Sequence, residues 1–253
     1  MPFTISHTAI IYPLQKLRLK PSLTAVAAGA MLPDFENFLQ MRHVRGIGHH
    51  WIGIPLLDLP AGIFLCLIFH NLLKYPGFQL LPRNLQRRLV PWLRTDWNQY
   101  LRQHPLAVVG WLIIGAATHL LWDGFTHSDG MFIPYLPFLR YRVHLAGIYL
   151  PVHLLLQILT SVLGLWLVTA MIFRLPKRTD ILLPSDLDKK AYIQALILAF
   201  IVVLGGRIWL LPQSNTYLSL VKGSLGAMMY AWILASLLVR TGEESTAPPY
   251  RQA

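Results

Sequence analysis

The sequence predicts an all-α, polytopic membrane helical bundle of about five transmembrane helices with a short helical N-terminal cap. Three observations predict it. Hydrophobic residues make up 55% of the chain and charged residues only 13%, against roughly 25% charged in soluble domains. Windows free of Lys, Arg, Asp and Glu run over 103–122, 143–173, 191–206 and 223–239, each close to the roughly 20 apolar residues that cross a bilayer core. The single cysteine, Cys66, lies inside an apolar run, which excludes an internal disulfide and a cysteine-based zinc knuckle.

The first 50 residues are less hydrophobic and rich in punctuation. Ser6 is expected to cap a short helix from His7 that Pro13 limits, and Ser22 a second helix through Met31. The run LTAVAAGAML is too short to span but suits close helix packing; Pro33 and DFENF follow. The opening MPFTISHTAIIYPLQKLRLK lacks the basic-then-apolar order of a cleavable signal peptide, so insertion is expected to rely on internal segments. Spans are predicted at 52–73, 104–123, 147–173, 191–211 and 217–239. Asp58 and Pro60 predict a broken or re-entrant first segment, leaving a four-span alternative open. Residues 1–173 then form a membrane-embedded domain carrying the polar groups, 174–240 a C-terminal transmembrane helix pair, and 241–253 a disordered tail.

The net charge of +11 raises nucleic acid as a partner, but the basic residues flank membrane segments and no soluble domain presents them, so no nucleic-acid role is expected. Lys74, Arg83, Arg87, Arg88, Arg94 and Arg102 share one connection with a single acid, Asp96; Arg174, Lys177, Arg178, Lys189 and Lys190 share another. Positive-inside reasoning puts both on the cytoplasmic side, the uncharged 212–216 loop, the N-terminal region and the 124–146 loop outside, and the C-terminus inside. Lys16, Arg18, Lys20, Arg42 and Arg45 count against that orientation.

Groups able to hold a divalent metal concentrate in the first 130 residues: His7, Asp34 with Glu36, His49 with His50, Asp58, His119, Asp123, His127 and Asp129. Imidazole and carboxylate suit zinc, with manganese or iron as alternatives, and the absence of cysteine ligands favours a catalytic over a closed structural site. The strongest element is His119-xxx-Asp123, whose side chains share one helix face a turn apart. Gly124 and the run GFTHSDG predict that this helix ends soon after, so that His127 reaches the site from a loop. Asp34 and Glu36 also fit a helix N-terminus, where acids are stabilised by free amides. At most one of His49 and His50 is expected to be a ligand, since consecutive helical residues point about 100° apart. Asp58 is a protonated, hydrogen-bonded carboxyl, a direct ligand, or, as favoured here, a group orienting a ligand histidine. His153 and Gln157 share a face and either line the same cavity or bond structurally between helices. Alone, His7 reads as an ordinary interfacial histidine.

The stretches MPFTISHTAIIYPL, AGAMLPDFENFL, GHHWIGIPLLDLP, THLLWDGFTHSDG and LLLQILTSVLGL together resemble the domain-of-unknown-function 4184 (DUF4184) family of prokaryotic membrane proteins. More distantly the chain resembles membrane-bound metal-dependent hydrolases of the YdjM type, and its HxxxD the zinc-dependent phospholipase C and single-strand nuclease fold. The resemblance implies a metal site of His7, Asp34, His49 or His50, His119 and Asp123, with His127 near it. RGIGHH stands where the YdjM pattern has a tighter His-Arg-Gly run, which leaves His49 and His50 as alternatives.

The expected function is that of an integral protein of a prokaryotic cytoplasmic membrane that hydrolyses a phosphoester of a lipid or envelope intermediate. Its cofactor would be a divalent metal, zinc before manganese, with Glu36 or His127 as proton acceptor or donor. Its partners are the lipid bilayer and a lipid-like substrate. The alternative is a non-enzymatic transporter or scaffold whose polar cluster binds an ion, although paired broken helices of the transporter kind are not evident.

Overall fold

The computed structural model describes residues 4–16, 21–44, 46–145, 147–185, 187–212 and 216–239. The expected tail 241–253, the residues Arg18, Lys20 and Arg45, and the middle of the 212–216 loop lie outside them. A 3-10 helix, Thr4–Ile10, runs into α1 (Ile11–Lys16); α2 is Leu23–Leu39, α3 Leu59–Ile68, α4 Lys74–Leu80, α5 Arg83–Leu93 and α6 Trp97–Gln103. Then come α7 (Pro105–Thr126), the strands β1 (Arg142–Leu145) and β2 (Ile148–Pro151), α8 (Val152–Arg174), α9 (Lys189–Leu210) and α10 (Tyr217–Leu238). Among the described residues the fold is all-α apart from one antiparallel hairpin.

Among the described residues five helices are long and apolar enough to cross a membrane: Ile54–Leu80, Pro105–Thr126, Val152–Arg174, Lys189–Leu210 and Tyr217–Leu238. Outward faces such as Leu159, Val162 and Leu163 on α8 and Leu198, Ile201 and Val202 on α9 are exposed. Apolar surface on this scale needs lipid, not water, against it, and the chain is an integral membrane protein.

The first span corrects the expectation of a break. Ile54–Asp58 and Phe69–Leu73 are π-turns, in which Leu59 N–H donates to the Ile54 carbonyl and Lys74 N–H to that of Phe69. Each precedes a proline, Pro60 or Pro76. A wide turn shifts the hydrogen-bond register by one residue, so the helix passes a residue that has no N–H to give. The third span begins at Val152 and not at 147, because 148–151 pair as β2 with β1. The second helix does not stop at Met31: α2 continues through Pro33 to Leu39. Ser22 caps it as expected, its Oγ accepting from Ala25 N at 3.4 Å. Ser6 does not cap; it lies inside the first helical segment and donates to the Ser161 carbonyl at 2.8 Å.

The chain forms two compact units: Met1–Asp34, Ile47–Ile63 and Leu106–Met171 in one, and Phe35–Gly46, Phe64–Pro105 and Ile172–Ala253 in the other. In the first, α2 crosses α7 with backbones nearly touching. A Cβ at Gly29 would stand 2.2 Å from the Leu112 carbonyl oxygen, and one at Gly115 2.6 Å from Ala30 N and the Val26 carbonyl oxygen. Only glycine admits this approach, the small-residue packing that replaces hydrophobic drive between membrane helices. In the second unit α9 and α10 pair antiparallel, joined by a 2.7 Å hydrogen bond between the hydroxyls of Tyr192 and Ser236. Buried Arg207 donates from Nε to the Met41 carbonyl at 2.9 Å. Gln86 donates to the Phe78 and Gln79 carbonyls, and Gln79 Oε1 accepts from Leu187 N, which holds the end of α4.

Candidate metal centre

His119 and Asp123 are one turn apart near the end of α7, both buried. Because glycines let α2 approach, the His119 ring reaches the Ala30 carbonyl at 2.8 Å from Nδ1. A carbonyl only accepts, so Nδ1 carries the proton and Nε2 faces the other way. That Nε2 lies 3.1 Å from Asp123 Oδ2, off the line a hydrogen bond requires, and has no other hydrogen-bond partner. A backbone carbonyl fixing the tautomer behind a ring nitrogen turned towards carboxylates is the usual support of a metal-bound histidine.

The 3-10 helix Thr4–Ile10 carries His7 onto the same point. Its ring stacks on that of His119 with centroids 3.7 Å apart and planes 13° from parallel, and its Nε2 is 3.4 Å from Asp123 Oδ1. Burial and the neighbouring His119 ring push His7 down to about 2 against the opposing pull of Asp123, so it is neutral, the form that offers a lone pair. Asp34 accepts a 2.6 Å hydrogen bond from Thr4 Oγ1, and its other oxygen is 3.5 Å from His49 Nε2. Burial would raise Asp34, but contact with His49, the field of His119 and the Thr4 hydroxyl outweigh it and hold the carboxyl well below the usual range.

Among the described residues two triads can each hold an ion, His7–His119–Asp123 and Asp34–His49–His119, with donor atoms within 4.8 Å of one another. Ligands at about 2.0–2.2 Å from zinc stand about 3.0–3.5 Å apart along the edges of the coordination polyhedron. His119–Asp123 at 3.1 Å, His7–Asp123 at 3.4 Å and Asp34–His49 at 3.5 Å fall in that range.

As expected, α7 ends soon after Gly124, at Thr126, and His127 lies just past it; its N still donates to the Asp123 carbonyl at 3.0 Å, so 119, 123 and 127 nonetheless stay stacked. His127 Nδ1 is 3.5 Å from Asp123 Oδ2, and Gln157 Nε2 donates to its Nε2 at 3.3 Å. Burial lowers the His127 pKa.

The other expected groups lie elsewhere. His50 is exposed and belongs to neither triad. Glu36 is in the second unit, where its carboxylate lies against Gly46 and accepts from Gln40 at 3.3 Å. Asp34 and Glu36 do not begin a helix; both are in the last turns of α2. Asp58 is buried but in neither triad, and Asp129 is exposed. His153 makes a structural bond, donating from Nδ1 to the Leu139 carbonyl at 3.1 Å. Sequence reasoning did not find Thr4 or the Ala30 carbonyl. The small-residue run around Gly29 announced a close approach but not the carbonyl it would deliver.

The family model described as "Domain of unknown function (DUF4184)" matches residues 1–241. No curated protein and no solved structure matches the chain.

Proposed function

We propose, for a chain that belongs to the DUF4184 family, that it is an integral membrane metal-dependent hydrolase acting on a phosphoester of a lipid or envelope intermediate in a prokaryotic cytoplasmic membrane. The observation that carries this reading is that two histidine–carboxylate triads share His119, whose Nδ1 is already committed to Ala30. His7, His119 and Asp123 would hold the ion, with Asp34 and His49 completing the donor set. Since Nδ1 is committed to Ala30, a single ion at Nε2 is the arrangement this reading takes. Zinc, or manganese, would lower the pKa of a bound water towards neutrality and polarise a phosphoryl oxygen.

The exposure of the rim favours catalysis over a closed structural site. The side chains of His49 and His127 are 34% and 37% exposed, while that of His119 is fully covered, so the cluster has a dry base and an open side. His127 is the proton acceptor in this reading: its Nε2 would exchange the Gln157 N–H it accepts for the proton of the bound water. The centre also sits in the last turns of a span that ends at Thr126. A cluster towards one end of the span would lie nearer the ester and phosphate groups of a lipid than the bilayer midplane does.

The test is metal analysis of the full chain purified without chelator. About one zinc or manganese per chain is expected, lost in His119→Ala and Asp123→Ala while helicity is kept, together with chelator-sensitive hydrolysis of lipid phosphoesters. No ion after incubation with either metal, in protein that unfolds as the variants do, would sink the metal reading. A tightly held ion without hydrolysis would make the cluster a structural or transport site.

A further inference from the structure

The connection 127–151 joins the end of α7 to the start of α8, two consecutive candidate spans, so it lies at one membrane surface. It is longer than the roughly 12–15 residues at which connections usually acquire a role. Its base is fixed: Phe125 stacks on Phe132 at 4.1 Å, Ile133 and Leu139 are buried, and Val152 N donates to the Tyr141 carbonyl at 2.9 Å. Its tip is different. β1 and β2 pair as Arg142↔Pro151, Val143↔Leu150, His144↔Tyr149 and Leu145↔Ile148, closing through Gly147 at φ +85°.

Opposite residues in an antiparallel pair point to the same side, and alternate pairs to opposite sides. Val143, Leu145, Ile148 and Leu150 therefore form one wholly apolar face, and Arg142, His144 and Tyr149 the other. Val143 is 42%, Leu145 54% and Ile148 56% exposed, and Leu150 is half-buried, so most of the apolar face is left uncovered. A two-stranded hairpin without a packed face is at best marginally stable in water. From Met131 to Pro151 there is no Asp or Glu, while Arg140 and Arg142 are both present and exposed. Exposed Tyr135, Tyr141 and Tyr149 accompany them, the residue type that concentrates at the headgroup level.

We propose that the 142–151 hairpin is an interfacial membrane anchor. Its Val143–Leu145–Ile148–Leu150 face lies in the upper acyl region, and Arg140 and Arg142 pair with the phosphates of anionic lipids. What covers the face is the same bilayer that α7 and α8 cross, with cations facing an anionic surface and no acid between Met131 and Pro151 to repel it. The anchor does not depend on the metal reading.

The test uses the full chain with Cys66→Ala, carrying either Leu145→Cys or His144→Cys labelled with an environment-sensitive fluorophore. Both are reconstituted in phosphatidylcholine vesicles with and without phosphatidylglycerol. The label at 145 is expected to be quenched by a shallow spin-labelled lipid and to be several-fold less sensitive to iodide, present on both sides, than the label at 144. Phosphatidylglycerol should widen that difference, and Arg140→Gln with Arg142→Gln should remove the widening. Equal iodide quenching at both positions would overturn the proposal by showing a hairpin in water. Protection of 145 from both quenchers, with self-quenching that rises with protein-to-lipid ratio, would overturn it in favour of a second copy of the chain.

Discussion

Replacing Gly115 by alanine tests the link between helix packing and the proposed centre. The new Cβ would stand 2.6 Å from Ala30 N and the Val26 carbonyl oxygen, both backbone atoms with no side-chain freedom to yield. Ordinary contact begins about 0.8 Å further out, so α2 and α7 must part by roughly that much. The His119 Nδ1 to Ala30 carbonyl distance of 2.8 Å then passes about 3.5 Å, and the hydrogen bond is lost. Overpacking of this kind costs about 1–3 kcal/mol, and the lost bond about 0.5–1.5 kcal/mol more. Releasing the ring from its carbonyl should weaken metal binding about 10–100-fold. The assay is thermal unfolding in detergent beside a competition titration with a metal-binding dye. Gly110→Ala, on the same helix with nothing within 4 Å of its Cβ, is the control and should be neutral or stabilising by up to about 1 kcal/mol. If Gly115→Ala matches Gly110→Ala in both stability and metal affinity, the proposed support of His119 by α2 is wrong.

Two further outcomes are expected. His49→Ala should lower metal affinity by at least about tenfold while His50→Ala leaves it unchanged; equal losses in the titration would show that the 49–50 pair is misassigned. Gln86→Leu removes both donations to the Phe78 and Gln79 carbonyls and should destabilise the second unit by about 1–3 kcal/mol, read as a lower unfolding temperature with metal content intact.

The spans were legible because charge-free length is a property of composition, and membrane helices need little else. The His119–Asp123 pair was legible for a similar reason, since a fixed spacing on a long helix fixes a common face. What sequence reasoning misplaced depended on exceptions to local rules. Pro60 and Pro33 read as helix breakers; a π-turn absorbs the first, and α2 carries the second within its last turns. Gly124 rightly announced a helix end, at Thr126, but not the stacking that survives past it; it is glycine because a Cβ there would come within 2.9 Å of the Met131 and Phe132 side chains. Asp34 and Glu36 looked like one acidic pair. Two residues apart on a helix they point about 200° from one another, so one enters the cluster in the first unit and the other belongs to the second. The Ala30 carbonyl was invisible because every residue has one, and only packing decides which carbonyl meets a ring.

The continuity of Ile54–Leu80 sets the membrane's level on this chain. At about 1.5 Å per residue its 27 residues reach about 40 Å, some 10 Å more than a typical hydrocarbon slab. The portion from Ile54 to Leu73 alone matches the slab, and the next residue is Lys74, whose amine donates to the Thr95 carbonyl at 3.0 Å. A slab laid over Ile54–Leu73 would leave α4 beyond it. Buried Gln79 and Gln86 make their backbone bonds at that end, so the surplus length of one helix is built into hydrogen-bonded packing.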